Sequence, residues 1–204
     1  MLLPIGHYIG AFHPAPGAPA EHHTVRVGTA PMRLLSDDEL GVWAMAHGLT
    51  GEGAVRPWTR TEAIAAAAQA GIDDAVKILD ELLADELLVE VAPDTEQAVE
   101  FAESYRVVPL MFGVAGSVSE RRRAIGLPGV PVVEVDNFSF ELWRLGHLAE
   151  SLRDYCQLYG EGLRAEAGLS EEHTSLDQML LKALWELQPL IAHNAVYLDA
   201  IRTW

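Results

Sequence analysis

One cysteine, Cys156, stands among 204 residues, so no disulfide can form within the chain. That scarcity suits a reducing compartment. Basic residues are also few: 14 Lys and Arg face 30 Asp and Glu, for a formal charge of −16. Such a surface repels phosphate backbones and anionic lipid and favours basic partners. No apolar run approaches the ~20 residues of a membrane span. The opening MLLPIGHYIG has neither the basic n-region nor the long apolar stretch of a signal peptide. These absences predict a cytoplasmic protein away from the membrane. Also missing are G-x-S-x-G, the P-loop and G-x-G-x-x-G, which excludes the commonest nucleophile and nucleotide signatures. Half the residues are apolar, enough to bury a core over one large domain or two small ones.

Residues 8–12, 24–27 and 32–35 read as three short strands, separated by a Pro- and Ala-rich loop and by a turn at Gly28. Pro31 fits an edge position, having no N–H for a ladder. Ser36 with Glu39, and Thr59 with Glu62, form capping boxes that start two helices. Gly48 and Gly71 mark their ends. The third helix, IDDAVKILDELLADE, puts Ile72, Val76, Leu79 and Leu83 on one face and runs into the strand LLVEV. Three helices followed by a strand is the winged-helix order. Asp94 with Gln97 predicts a fourth short helix through Tyr105. Residues 106–136 read as strands broken by glycine turns. Helices then follow over 140–159 and from Ser175, with Pro189 expected to kink or split the last one before its pattern resumes through Ile191, Val196, Leu198 and Ile201. The expected fold is α+β: an N-terminal winged-helix domain with a three-stranded sheet over residues 1–105, then a small β element and a C-terminal helical region over 106–204.

Residues 8–91 resemble the PqqD-like family of small winged-helix domains. A three-stranded sheet leads into LSDDELGVWAMAHG, then TRTEAIAAAAQAG, then DDAVKILDELLADELLVEV, in that family's order. LTGEGAVRPW is a longer link than the family usually has, and the last hundred residues have no counterpart in its stand-alone members. The resemblance implies a leader peptide that adds a strand beside the third sheet strand and lies against the third helix. The implied contacts are Met32, Arg33, Leu34 and Leu35 on the strand and Asp73, Lys77 and Asp80 on the helix.

Charge argues against the other common use of a winged helix. Between Leu34 and Glu103 sixteen acids face three bases, a net of −13, and the third helix holds six of those acids and one lysine. DNA affinity rests on phosphate contacts by Lys and Arg, so DNA is not the expected partner. The acids serve equally as a solvated face or as a surface for a basic partner. Arg121, Arg122 and Arg123 form the one basic cluster, placed in a loop, and are candidates for binding an anion; neutralisation of nearby acids is the plainer reading. Eight histidines match no zinc spacing, so no metal and no cofactor is implied. Cys156 reads as packing rather than as a nucleophile. Trp143, Trp185 and Trp204 read first as core and otherwise as a dimer face. Leu180, Leu184, Leu187, Ile191 and Ile201 make too long an apolar set for a lone terminal helix and predict a homodimer through the C-terminal helices. The reading favoured is a non-enzymatic peptide- or protein-binding module, such as an accessory protein of a peptide-modifying pathway, with a partner of basic character. Its rivals are a dimeric winged-helix transcription regulator and an enzyme with its site in the C-terminal helices.

Overall fold

The computed structural model describes residues 1–51, 54–119, 122–168 and 170–201 of an α+β chain with two units. Residues 1–90, with the chain's end from Leu198, form the first, and Val91–Tyr197 the second. The fourth helix therefore belongs to the second unit, where the sequence placed the boundary after Tyr105.

In the first unit, β1 (Leu2–Pro4) pairs antiparallel with β5 (Leu88–Glu90), placing Leu3 opposite Val89. Strand β1 leaves no trace in the sequence pattern, since three residues are too few for one to show. The strand after the third helix thus has its partner at the chain's start. A meander of β2 (His7–Phe12), β3 (His22–Val27) and β4 (Ala30–Leu34) follows, with β3 central. Gly28, at φ +58°, and Thr29 turn β3 into β4, with Val27 opposite Ala30. A glycine first in a two-residue hairpin turn is the type II′ arrangement. Leu198 returns to this unit, bridging parallel to Ile5, and Asp199 accepts the Gly28 N–H at 2.8 Å.

Helices α1 (Asp37–Met45), α2 (Arg60–Gln69) and α3 (Ala75–Ala84) complete the unit. The expected capping box forms at α2, while α1 keeps its Ser36 cap but with Glu39 bonded one residue further back. Ser36 accepts from the Glu39 N–H while Glu39 reaches back to the Leu35 N–H, and Thr59 and Glu62 cap each other. The apolar face of α3 comprises Ala75, Ile78, Leu79 and Leu82; Val76, read as part of it, is 51% exposed. Gly41 leaves room on α1 for Ile72, just before α3, because a Cβ there would stand 2.6 Å from the Ile72 side chain. The Trp43 indole donates to the Ile5 carbonyl at 3.3 Å, tying α1 to the residues after β1.

The ends of α2 and α3 share one device. After α2, Gly71 takes φ +88°, and the N–H groups of Gly71 and Ile72 bond the carbonyls of Ala68 and Ala67. After α3, Glu86 takes φ +56°, and Glu86 and Leu87 bond Leu83 and Leu82 in the same pattern. Both are Schellman motifs, but only the first has the glycine such a backbone prefers. Replacing Glu86 with glycine is therefore expected to stabilise the protein by about 0.5–1 kcal/mol, less the added freedom of the unfolded chain. Urea denaturation checks this; a loss of stability would contradict it.

The second unit opens with α4 (Glu96–Ser104), capped at Thr95 rather than at Asp94. Gln97 still accepts from the main chain, at Ala92. Strand β6 (Tyr105–Pro109) precedes a meander of β7 (Phe112–Ser119), β8 (Arg122–Leu127) and β9 (Val130–Val135). Ile125 and Val133 are buried from the β8–β9 pair, and α5 (Asn137–Leu145) packs on it. The single helix expected over 140–159 is in fact two. After α5 comes a 3-10 turn at Gly146–Leu148, and α6 (Leu152–Ala167) starts afresh from a Ser151 cap that accepts the Asp154 N–H. A Cβ on Gly146 would stand 3.0 Å from that of Val107, so this glycine permits close packing where the helix breaks.

A short α7 (Glu171–Thr174) leads to α8 (Leu176–Ala192), capped by Ser175 as expected. Pro189 does not split α8. The carbonyl it leaves without a helical donor is that of Trp185, whose side chain is 37% exposed. A third Schellman motif, with Asn194 at φ +53°, stops the helix three residues later. The segment expected to resume as helix is instead strand β10 (Val196–Ala200), which pairs with β6.

Candidate functional site

Of the four strand residues named from the sequence, Met32, Arg33 and Leu34 lie on β4 at the edge of its sheet and Leu35 follows its end, and main-chain directions there follow from register. In a two-residue hairpin the flanking pair exchanges hydrogen bonds, and bonded and non-bonded pairs then alternate. Val27–Ala30, Val25–Met32 and His23–Leu34 are accordingly the bonded pairs, while Pro31 opposes Arg26 and Arg33 opposes Thr24. Met32 and Leu34 turn their N–H groups toward β3. Pro31 and Arg33 turn theirs away, and Pro31 has none to offer. The Leu35 N–H is taken by the Glu39 carboxylate at 2.8 Å. Among the described residues no strand pairs with the outer side of β4. That edge therefore presents one donor, at Arg33, with the Pro31 and Arg33 carbonyls beside it. Leu35 stands next to it 69% exposed.

Side chains on β4 divide the same way. Leu34 is buried on the helix side and Met32 half-buried, while Arg33 is exposed on the opposite face. Strands β2, β3 and β4 contain Arg26 and Arg33 and no carboxylate, against the charge of the whole chain.

The helix residues form a separate feature. Asp73, Lys77 and Asp80 line an open hollow of about 520 Å³ along α3 that no β4 residue borders. Its charges are largely engaged. Arg60 holds Asp80 at 2.6 Å, and Lys77 lies 3.6 Å from Glu81. The structure thus brings Met32, Arg33 and Leu34 together on one strand and Asp73, Lys77 and Asp80 on one helix, without joining the sets in one pocket.

The basic cluster is not a loop. Arg122 and Arg123 lie in β8, with Arg121 outside the described residues. Arg122 donates to the Glu134 carbonyl at 2.6 Å, and the Arg123 guanidinium stands 5.9 Å from the centre of the Phe140 ring. Strand alternation separates the two, which a triplet in a loop would not require. Cys156 is fully buried, and burial pushes its thiol up to about 12, far from a reactive thiolate. Trp204 lies outside the described residues, and Trp143 is buried.

One cluster went unread in the sequence. His23, 7% exposed, meets the Asp37 carboxylate at 2.7 Å through Nε2 and the Tyr8 hydroxyl at 3.2 Å through Nδ1. It joins β2, β3 and the first turn of α1. Adjacent histidines at 22 and 23 carry no signal of this; strand alternation alone sends His23 inward and His22 outward.

No family model matches the chain, and no curated protein or solved structure does either.

Proposed function

We propose that this is a non-enzymatic protein- or peptide-binding module, and that its partner adds a strand to the open edge of β4. The observation that supports it is the unpaired Arg33 N–H and C=O with an exposed leucine alongside. An open edge binds extended segments through main-chain bonds, while alternate side chains set selectivity. The resemblance to PqqD-like domains favours the same strand. The regulator reading lacks cations to hold phosphates: the lone lysine of α3 faces Glu81, and Arg60 faces Asp80. A lone, buried cysteine agrees with a cytoplasmic address. Among the described residues no helix is long and apolar enough to cross a membrane.

The edge geometry selects the variant. Met32→Pro would break the bonded pair with Val25, so it tests the hairpin rather than the edge. Arg33→Pro removes the outward donor at a position where a sheet tolerates proline. Peptides enriched from a displayed random library on the full chain are expected to bind Arg33→Pro about tenfold or more weakly, the cost of a lost donor that leaves the peptide's acceptor unpaired. Circular dichroism should be unchanged. Failure to enrich any peptide, or equal binding by the variant, would count against the edge.

A further inference from the structure

The second unit contains a cleft of about 620 Å³ between α5 and α6, a size within the range of small-molecule sites. Its walls are mostly apolar, and Leu148 and Leu158 stand 70% and 63% exposed at its margin. Tyr155 lines it and is 4% exposed, yet its hydroxyl has no hydrogen-bond partner. Buried hydroxyls are nearly always partnered, so this one calls for an acceptor. Burial raises the phenol's pKa above its ordinary value, which keeps it a donor.

Two glycines in α6 sharpen the point. A Cβ on Gly160 would stand 2.5 Å from the Thr174 carbonyl oxygen, so packing requires that glycine. A Cβ on Gly162 would meet nothing within 4 Å. Glycine within a helix weakens it, and packing does not require this one. What its missing side chain does is leave the cleft open, because Gly162 is part of the lining. The charged residues at the rim offset each other: Arg144 Nε donates to Glu141 at 3.1 Å. They leave no uncompensated charge to favour an ionic ligand.

We propose that this cleft binds an uncharged, mainly apolar small molecule presenting one hydrogen-bond-accepting oxygen to the Tyr155 hydroxyl. The site is separate from the β4 edge and does not depend on the peptide-binding reading. Nile red, an uncharged aromatic dye with a ring carbonyl, serves as the probe against the full chain. Saturable binding at one dye per chain is expected, with enhanced, blue-shifted fluorescence. Gly162→Leu should fill the cleft and weaken binding about tenfold or more, while thermal stability holds or rises because leucine is the better helix former. Tyr155→Phe should weaken it about fivefold, the effect of one neutral hydrogen bond. An anionic dye of similar size should bind more weakly than Nile red. Equal affinity in Gly162→Leu or in Tyr155→Phe, or binding without saturation, overturns the proposal. So does a dimer in light scattering that Gly162→Leu dissociates while Nile red fails to bind, because the cleft would then hold a second copy.

Discussion

Leu184→Ala is expected to remove about 2–5 kcal/mol of stability, the range for deleting a buried leucine where the surroundings cannot collapse. Leu184 is fully buried, and so are Leu187 and Leu190 on the same helix. Helix α8 packs on α4, α5, α6 and α7 within its own unit. This is the apolar set from which the sequence predicts a homodimer through the C-terminal helices. Four of its five residues, Leu180, Leu184, Leu187 and Ile191, are buried within the chain, and Ile201 stands apart, 39% exposed, after β10. A stripe already covered by its own unit cannot also cover a second copy. The two uses differ in a measurable way. Loss of a core side chain lowers the urea midpoint at every protein concentration, whereas loss of an interface makes the effect depend on concentration. A loss below about 1 kcal/mol, or one that grows on dilution, would return α8 to the dimer reading.

How far the sequence could be read follows from where each signal resides. Capping signals are local: Ser36 and Thr59 each start a helix with a Glu three residues on, and both cap as expected, although Glu39 takes the Leu35 N–H rather than that of Ser36. The Schellman stop was legible at Gly71, because glycine advertises a positive φ. At Glu86 and Asn194 the same backbone is occupied by residues that do not, so the sequence pattern overextends α3 and continues as helix into β10. Strand β1 was invisible because its only evidence is its partner, more than eighty residues away. Gly146 and the Ser151 cap were both present in the sequence, but the apolar spacing on either side of them happens to continue, and periodicity alone joined α5 to α6.

The candidate site divides similarly. Pro31 announced an edge, and parity counted from the Gly28 turn then makes Arg33 the outward residue, but only once the Val27–Ala30 register is known. The orphaned Tyr155 hydroxyl and the vacancy beside Gly162 are properties of tertiary packing that no spacing encodes.

Mild acid is expected to weaken the first unit through His47, and His47→Gln to relieve much of that loss. The imidazole follows the last turn of α1. It lies edge-on to Trp43 with centroids 4.5 Å apart, and its Nδ1 donates to the Trp43 carbonyl at 3.2 Å. Burial lowers its pKa from 6.5 to about 4, while bonds to the Trp43 and Ala44 carbonyls pull weakly the other way. The sign follows from proton counting. Between 6.5 and about 4 the unfolded chain has taken up a proton at this site and the folded chain has not. The unfolded state therefore binds more protons across that window, and stability falls as the pH falls. The full shift corresponds to about 3 kcal/mol; because His47 is only half-buried, about 2 kcal/mol is the expected loss. His7, lowered by burial and by Arg26, acts in the same direction but remains in both proteins, so their difference isolates His47. Glu62, held below its ordinary value by Thr59, adds its own loss only at lower pH, which sets the lower limit of the titration near its usual 4.5. Urea denaturation from neutral pH down to that limit should show the parent losing stability more steeply than His47→Gln. Parallel profiles would mean that His47 titrates alike in both states, and that its contact with Trp43 leaves it open to water.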